Sequence, residues 1–333
     1  MPTWGRILDE ILEARDEGIE KPLDAVRRQY LKRLHELTGR DTILYSTAWT
    51  LPGGGPGTNI GINNRDVHAF MEVIHGLESD QLDLVLHSPG GSAETAEQIV
   101  DYVRSKFDDF RVFVPQAAMS AATLMCCAAD EVVMGHHSSL GPIDPQFVVE
   151  TPFGYRMTPA FAILDQFEFA QDSVSSYNDL ISWQPLLQQY PPGLLAECME
   201  AIELSRELAN QWGREHMHCD KDDEEAKLRG ELMAEYLSDR HYFKSHSRRI
   251  NREKAKENGF EVRSLEDDQE LQDAVLSVFH AAMHTRGPPR RENRGEPQSA
   301  CGHHQIGRRG HRWPNWKPRI ISRRKWGRRR RTG

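Results

Sequence analysis

No stretch of this 333-residue chain approaches ~18 consecutive apolar residues, the length at which a membrane-spanning helix becomes a candidate. The opening segment, MPTWGRILDEILEARDEG, is charged and helical in pattern, without the apolar centre of a secretory signal. No membrane span is expected, and a cytoplasmic location is. Cysteine is scarce. The five residues Cys126, Cys127, Cys198, Cys219 and Cys301 are odd in number, two are adjacent, and their spacing excludes a disulfide framework. A reducing compartment fits. The chain has no dinucleotide-binding fingerprint, and no lysine lies between Lys106 and Lys221. That gap excludes a serine–lysine dyad with the lysine closely following the serine, and it leaves no lysine beside such a site to hold pyridoxal phosphate. His216-x-His218-Cys219 and the His280/His284 pair have ligand types at usable spacing but no second cluster. No metal and no cofactor are expected.

Apolar residues are also few, at 38%, and the mean hydropathy is −0.64. Polar ends dilute an ordinary middle. The net charge of −8 conceals a division. Residues 286–333 hold 16 Lys/Arg against 2 Asp/Glu, leaving 26 basic against 48 acidic side chains in residues 1–285. The acidic body would not attract nucleic acid by bulk charge, whereas the tail would. RNA binding through Trp313, Trp316 and Trp326 of that tail is weighed against a solvated, functionless tail.

Periodicity divides the chain into four parts: a helical segment 1–40, an α/β core 41–160, a helical extension 161–285 and a basic tail 286–333. Within the core, apolar strands at 42–49, 82–86, 112–114 and 132–134 alternate with helices at 66–76, 92–107 and 121–129, the pattern of a parallel sheet. Leu51–Asn64 reads as a glycine-rich loop. Phe161–Ser176, Leu194–Met217, Glu231–Tyr242 and Leu265–His284 read as helices, with Cys219–Glu225 as an acidic break. The tail has no periodicity and reads as disordered.

Two strand-to-helix turns built of small residues stand out: Ser88-Pro89-Gly90-Gly91-Ser92 and Ala117-Ala118-Met119-Ser120-Ala121-Ala122. A glycine pair lets backbone N–H groups approach a ligand closely. A serine at a helix N-terminus sits where the helix dipole favours developing negative charge. Together they are the parts of an acyl-transfer site, with Ser120 as nucleophile and the Gly91 and Ala121 N–H groups as an oxyanion hole. Each part has a plainer alternative. Ser120 is equally suited to capping the helix, and Gly90 and Gly91 to making a turn. The base would be a histidine drawn from His136, His137, His216, His218, His241, His246, His280 and His284, oriented by Asp130, Asp144 or Asp165. Asp144 is the best placed acid, because Leu140-Gly141-Pro142-Ile143-Asp144-Pro145 is a rigid turn; its alternative is an Asp-Pro turn residue bonded to its own backbone.

HSPGGSAETAEQIV, PQAAMSAATLMCCAADEVVMG and SSLGPIDPQ, together with WGRILDEI, RRQYLKRLHELTGR, AILDQFE and FKSHSRRI, resemble the serine dehydrogenase proteinase family, a distant relative of the Clp peptidases and signal peptide peptidases. The likeness runs from Trp4 to about Thr285. It implies an α/β fold of the Clp peptidase/crotonase kind, repeated β-β-α units with added helices, and an ATP-independent serine peptidase whose triad runs serine, aspartate, histidine. Carried over, Ser120 matches the nucleophile, Asp144 the acid, and His246 of KSHSRRI is favoured as the base, with His137 and His280 behind it. Gly90, Gly91 and Ala121 form the oxyanion hole, the substrate is a peptide or protein, and the helices of 160–240 are the surface for a homo-oligomer. The tail departs from the family pattern, as a shifted reading frame or a truncation followed by unrelated sequence would explain. The rivals are a crotonase-like acyl-CoA enzyme, and a catalytically silent assembly or RNA-binding protein.

Overall fold

Five short strands form one parallel sheet, in the spatial order Asp41–Ser46, Gln81–His87, Asp109–Val114, Glu131–Met134, Val262–Ser264. The computed structural model describes residues 4–50, 60–151 and 154–286. In chain order, α1 (Trp4–Asp16) and α2 (Pro22–Thr38) precede β1 (Asp41–Ser46), α3 (Asn64–Ile74), β2 (Gln81–His87), α4 (Ala93–Arg104), β3 (Asp109–Val114), β4 (Ala117–Ala118), α5 (Ala121–Cys127), β5 (Glu131–Met134) and β6 (Ser139–Leu140). A hairpin of β7 (Gln146–Thr151) and β8 (Gly154–Pro159) follows, then α6 (Ala160–Ser173), α7 (Tyr177–Leu187) and α8 (Leu194–Trp212). A π-helical turn (Gly213–Met217) extends α8, and α9 (Asp223–Ser238), α10 (Arg240–Phe243), α11 (Arg252–Glu257), β9 (Val262–Ser264) and α12 (Gln269–Arg286) complete the fold. The tail and most of the glycine-rich loop lie outside the described residues.

The central strands are apolar on both faces because helices cover both. Leu82, Leu84 and Leu86 of β2 alternate with Val85. The leucines pack with Phe70, Ile99, Leu124, Trp212 and Met233 of α3, α4, α5, α8 and α9. Val85, with Phe113 and Val133, meets Ile7, Leu34 and Val275 of α1, α2 and α12 on the other face. A charged group is enclosed with them. Asp83 of β2 is wholly buried, and its carboxylate accepts from Arg40 Nε at 2.8 Å and from Arg111 Nε and Nη2 at 2.9 and 2.8 Å.

Beyond the C-terminal ends of the main strands, the chain repeatedly steps into a second, shorter parallel ladder before entering a helix. β4 pairs with β6, Ser88 bridges Ala118, and Ile62 bridges Gly91. The result is the repeated β-β-α pattern that the resemblance implies, and the two small-residue turns lie in this second layer. The helical extension differs in detail from its sequence reading. α9 starts at Asp223, inside the stretch read as an acidic break. Asp222 caps it by accepting from Glu225 N–H, so the acidic cluster is a helix start, where carboxylates complement the dipole. The hairpin β7-β8 and the edge strand β9 emerge only in the structure.

Candidate active site

The two turns lock together through their backbones. Ser88 N–H donates to Ala117 O at 3.1 Å, and Met119 N–H to Ser88 O at 3.0 Å. Gly90 has φ 95°, and a Cβ there would stand 2.5 Å from Met119 O and 2.9 Å from Ala121 N. Only glycine allows this contact. Gly91 is pressed against Ile62, whose N–H donates to Gly90 O at 2.7 Å and whose carbonyl accepts from Ser92 N–H at 3.0 Å. Among the described residues, neither the Gly91 nor the Ala121 N–H has an acceptor.

Ser120 precedes α5 with φ 53° and ψ −121°, one of two non-glycine residues with positive φ among those described. Its side chain makes no capping hydrogen bond, so the helix-cap alternative is not realised. It is half-buried, while every residue of α5 behind it is buried. Strain of this kind persists only where the surroundings fix it. Here Thr123 does part of the fixing. Its hydroxyl lies 2.8 Å from Ala118 O and 2.9 Å from Gly141 O, and it accepts from Gly141 N–H at 3.0 Å. The serine turn and the Gly141–Pro145 turn are thereby one unit.

That second turn carries Asp144. Ile143 N–H donates to Leu237 O at 3.1 Å. Leu140 pairs with Ile250, which draws the loop after α10 across the turn. His246 sits in that loop. Its Nδ1 lies 2.7 Å from Asp144 Oδ1, and the two side chains are 26% and 13% exposed. Beside an ionised carboxylate Nδ1 holds the proton, which leaves Nε2 as the basic nitrogen. Gln146 Nε2 donates to the other oxygen, Asp144 Oδ2, at 2.8 Å. Nothing in the sequence marks Gln146 for this role, because no local pattern tells which oxygen of which acid an amide will reach.

Ser120, Ala121, Gly90, Gly91 and His246 line one cavity of about 850 Å³. Leu124, Ile143, Phe147, Ala201 and Leu204 supply apolar wall, and apart from His246 the only charged or titratable side chain among the described lining residues is Glu94. The other candidates go elsewhere. His137 is exposed beside Gly135, and His280 packs edge-on to Trp4 at 5.9 Å. The buried His218 bonds Gly259 O through Nε2 at 2.7 Å. Asp130 accepts from Arg104 and from Phe110 N–H, and Asp165 from Arg240. Burial pushes the Cys126 and Cys127 thiols up, which makes them poor nucleophiles. Among the described residues no group of three or more His, Cys, Asp or Glu is arranged to hold a metal.

Residues 62–173 match the family of ClpP-like SDH-type serine proteinases. The resemblance read from the sequence is borne out over this stretch, which carries Gly90, Gly91, Ser120, Ala121 and Asp144 and ends before His246. Two uncharacterized proteins of Methanocaldococcus jannaschii are similar to the chain. One is 37% identical over 86 residues, 26% of this chain and 30% of that protein; the other is 39% identical over 69 residues, 21% and 24%. The chain thus spans less than a third of the length of these curated relatives. Among solved structures, the 1510-N membrane-bound stomatin-specific protease with a substrate peptide superposes with a TM-score of 0.38 at 16% identity, covering 70% of this chain and 77% of that one. The ClpP protease catalytic domain from Plasmodium falciparum gives 0.35 at 13%, covering 72% and 89%.

Proposed function

We propose that the protein is an ATP-independent serine endopeptidase working through an acyl-enzyme on Ser120. His246 Nε2 takes the Ser120 proton as Oγ bonds to a peptide carbonyl carbon. The Gly91 and Ala121 N–H groups, which have no acceptor among the described residues, hold the resulting oxyanion. The imidazolium, steadied by Asp144, then gives its proton to the leaving amine as the C–N bond breaks. Water repeats the sequence on the acyl-enzyme: His246 takes its proton, the hydroxyl adds, and Ser120 Oγ leaves with that proton. The observation that carries this reading is the Asp144–His246 hydrogen bond, with His246 lining the same cavity as Ser120 and the two glycines.

The acyl-CoA alternative is disfavoured. No lysine or arginine is among the described residues lining the cavity, so nothing there meets the phosphates of a nucleotide thioester. The substrate is therefore read as a peptide, and a homo-oligomer built through residues 160–240 remains part of the proposal. Among the described residues no helix is long and apolar enough to cross a membrane. Residues 287–333, with any contact to nucleic acid, lie outside the described residues.

Labelling with a fluorophosphonate tests the reading. The native chain is expected to label covalently, Ser120→Ala to lose all labelling, and doubly blocked peptides to be cut internally. A well-folded native chain that does not label would overturn it in favour of a silent scaffold.

A further inference from the structure

We propose that Gln146 is a positioning residue that holds Asp144, and through it His246, so that the competence of the site depends on the hairpin β7-β8. This rests on the serine-peptidase reading above. The geometry is a chain of two hydrogen bonds through one carboxylate. Oδ1 accepts from His246 at 2.7 Å and Oδ2 accepts from Gln146 at 2.8 Å. A carboxylate held at one oxygen alone swings about its Cβ–Cγ bond. Held at both, its plane is fixed, and so is the plane of the imidazole it serves.

Gln146 is the first residue of β7, opposite Pro159 of β8. The Ala160 N–H to Pro145 O bond, 2.9 Å, closes the base of the hairpin onto the Asp144 turn. The next residues along β7, Phe147 and Val148, line the cavity with Met157 of β8. Val148 and Met157 are 64% and 59% exposed, although apolar. A peptide lying in the cavity therefore rests on the strand whose first side chain orients Asp144. Docking and alignment of the base act on one short piece of backbone. Around the pair, the charged or titratable groups are Asp165, Asp239, Arg240, His241 and Lys244 behind it and Glu94 across the cavity. Among the described residues Asp165, Arg240 and Asp239 already have partners of their own.

Two variants of the full chain test the proposal. Gln146→Met keeps length and loses the donor; Gln146→Glu keeps length and replaces the donor with a charge. Three quantities are read: the rate of fluorophosphonate labelling across pH, the melting temperature, and the low-field proton resonance of His246 Nδ1–H, assigned by its loss in His246→Gln. In Gln146→Met we expect labelling to slow about 10- to 100-fold, an unchanged melting temperature, and a broadened or lost resonance. In Gln146→Glu a second carboxylate faces Asp144 Oδ2 in place of the donor and repels it, so labelling is expected to slow at least as much as in Gln146→Met. Native rates and an intact resonance in Gln146→Met overturn the proposal. A native chain that shows the resonance, loses it in Gln146→Met, and never labels would sustain the positioning role while refuting the peptidase reading.

Discussion

Leu140 and Ile250 exchange both of their backbone hydrogen bonds, N–H to carbonyl in each direction, at 2.9 Å. This two-residue pairing joins parts of the chain that lie far apart in sequence, and it brings the loop of His246 onto the turn of Asp144. Ile250→Pro removes one of the two bonds. We expect it to slow fluorophosphonate labelling at least about 10-fold by letting the His246 loop drift. Ile250→Val, which keeps the pairing and loses one buried methylene, should cost about 1 kcal/mol of stability and label normally. Labelling rates and urea midpoints of both variants check this.

Ser120 holds a backbone conformation that a glycine adopts more easily. Ser120→Gly should therefore abolish labelling while raising stability by about 1 kcal/mol or more. Ser120→Ala should abolish labelling with little change in stability, because alanine inherits the strain. Thermal unfolding of the two variants side by side separates these outcomes.

Gly90→Ala would place a methyl 2.5 Å from Met119 O and 2.6 Å from Ser120 Cβ. The two turns cannot both keep their places. The expected result is loss of labelling with a drop in melting temperature. A variant that melts and labels like the native chain would show that the contact between the turns is unimportant.

The local chemistry of the two turns was legible in the sequence, because small residues between apolar strands admit few structures. That pattern is what singles out Ser120, Gly90 and Gly91 as candidates. His246 was reached through the resemblance alone, since nothing near it in sequence distinguishes it from His137 or His280. What selects it is the long-range pairing of Ile250 with Leu140, which no local pattern encodes. β9 escaped for the same reason: three residues, Val262–Ser264, are a strand only because β5 offers them an edge. The start of α9 is obscured in sequence because an acidic cluster resembles a break, whereas its carboxylates cap and complement a helix N-terminus.

Asp83→Ala tests the buried charge beneath β2. It would leave Arg40 and Arg111 without the carboxylate they share, and removing one side of a buried ionic cluster costs about 3–5 kcal/mol. Arg40 keeps Asp109 as a partner, which favours the lower end of that range. Denaturant midpoints measure the loss.

Acid should weaken the fold through buried histidines. His218 and His284 are held below the ordinary histidine value, chiefly because burial disfavours the charged ring. Each is neutral in the fold and takes up a proton more readily once unfolded. Their contribution is therefore complete above the ordinary value of about 6.5 and is lost as pH falls through it. Unfolding free energy should be smaller at about pH 5.5 than at about pH 7.5. His218→Gln, whose amide can still donate toward Gly259 O, should reduce that difference.

The edge strand that completes the sheet comes from near the end of the described chain, and the loop holding His246 comes just before it. During synthesis, Ser120 and Asp144 leave the ribosome more than a hundred residues ahead of their third partner. On the proposed roles, a nascent chain has a serine without a base until Ile250 meets Leu140. On the peptidase reading, the order of the chain delays hydrolytic capacity until the loop of His246 has been made and has docked.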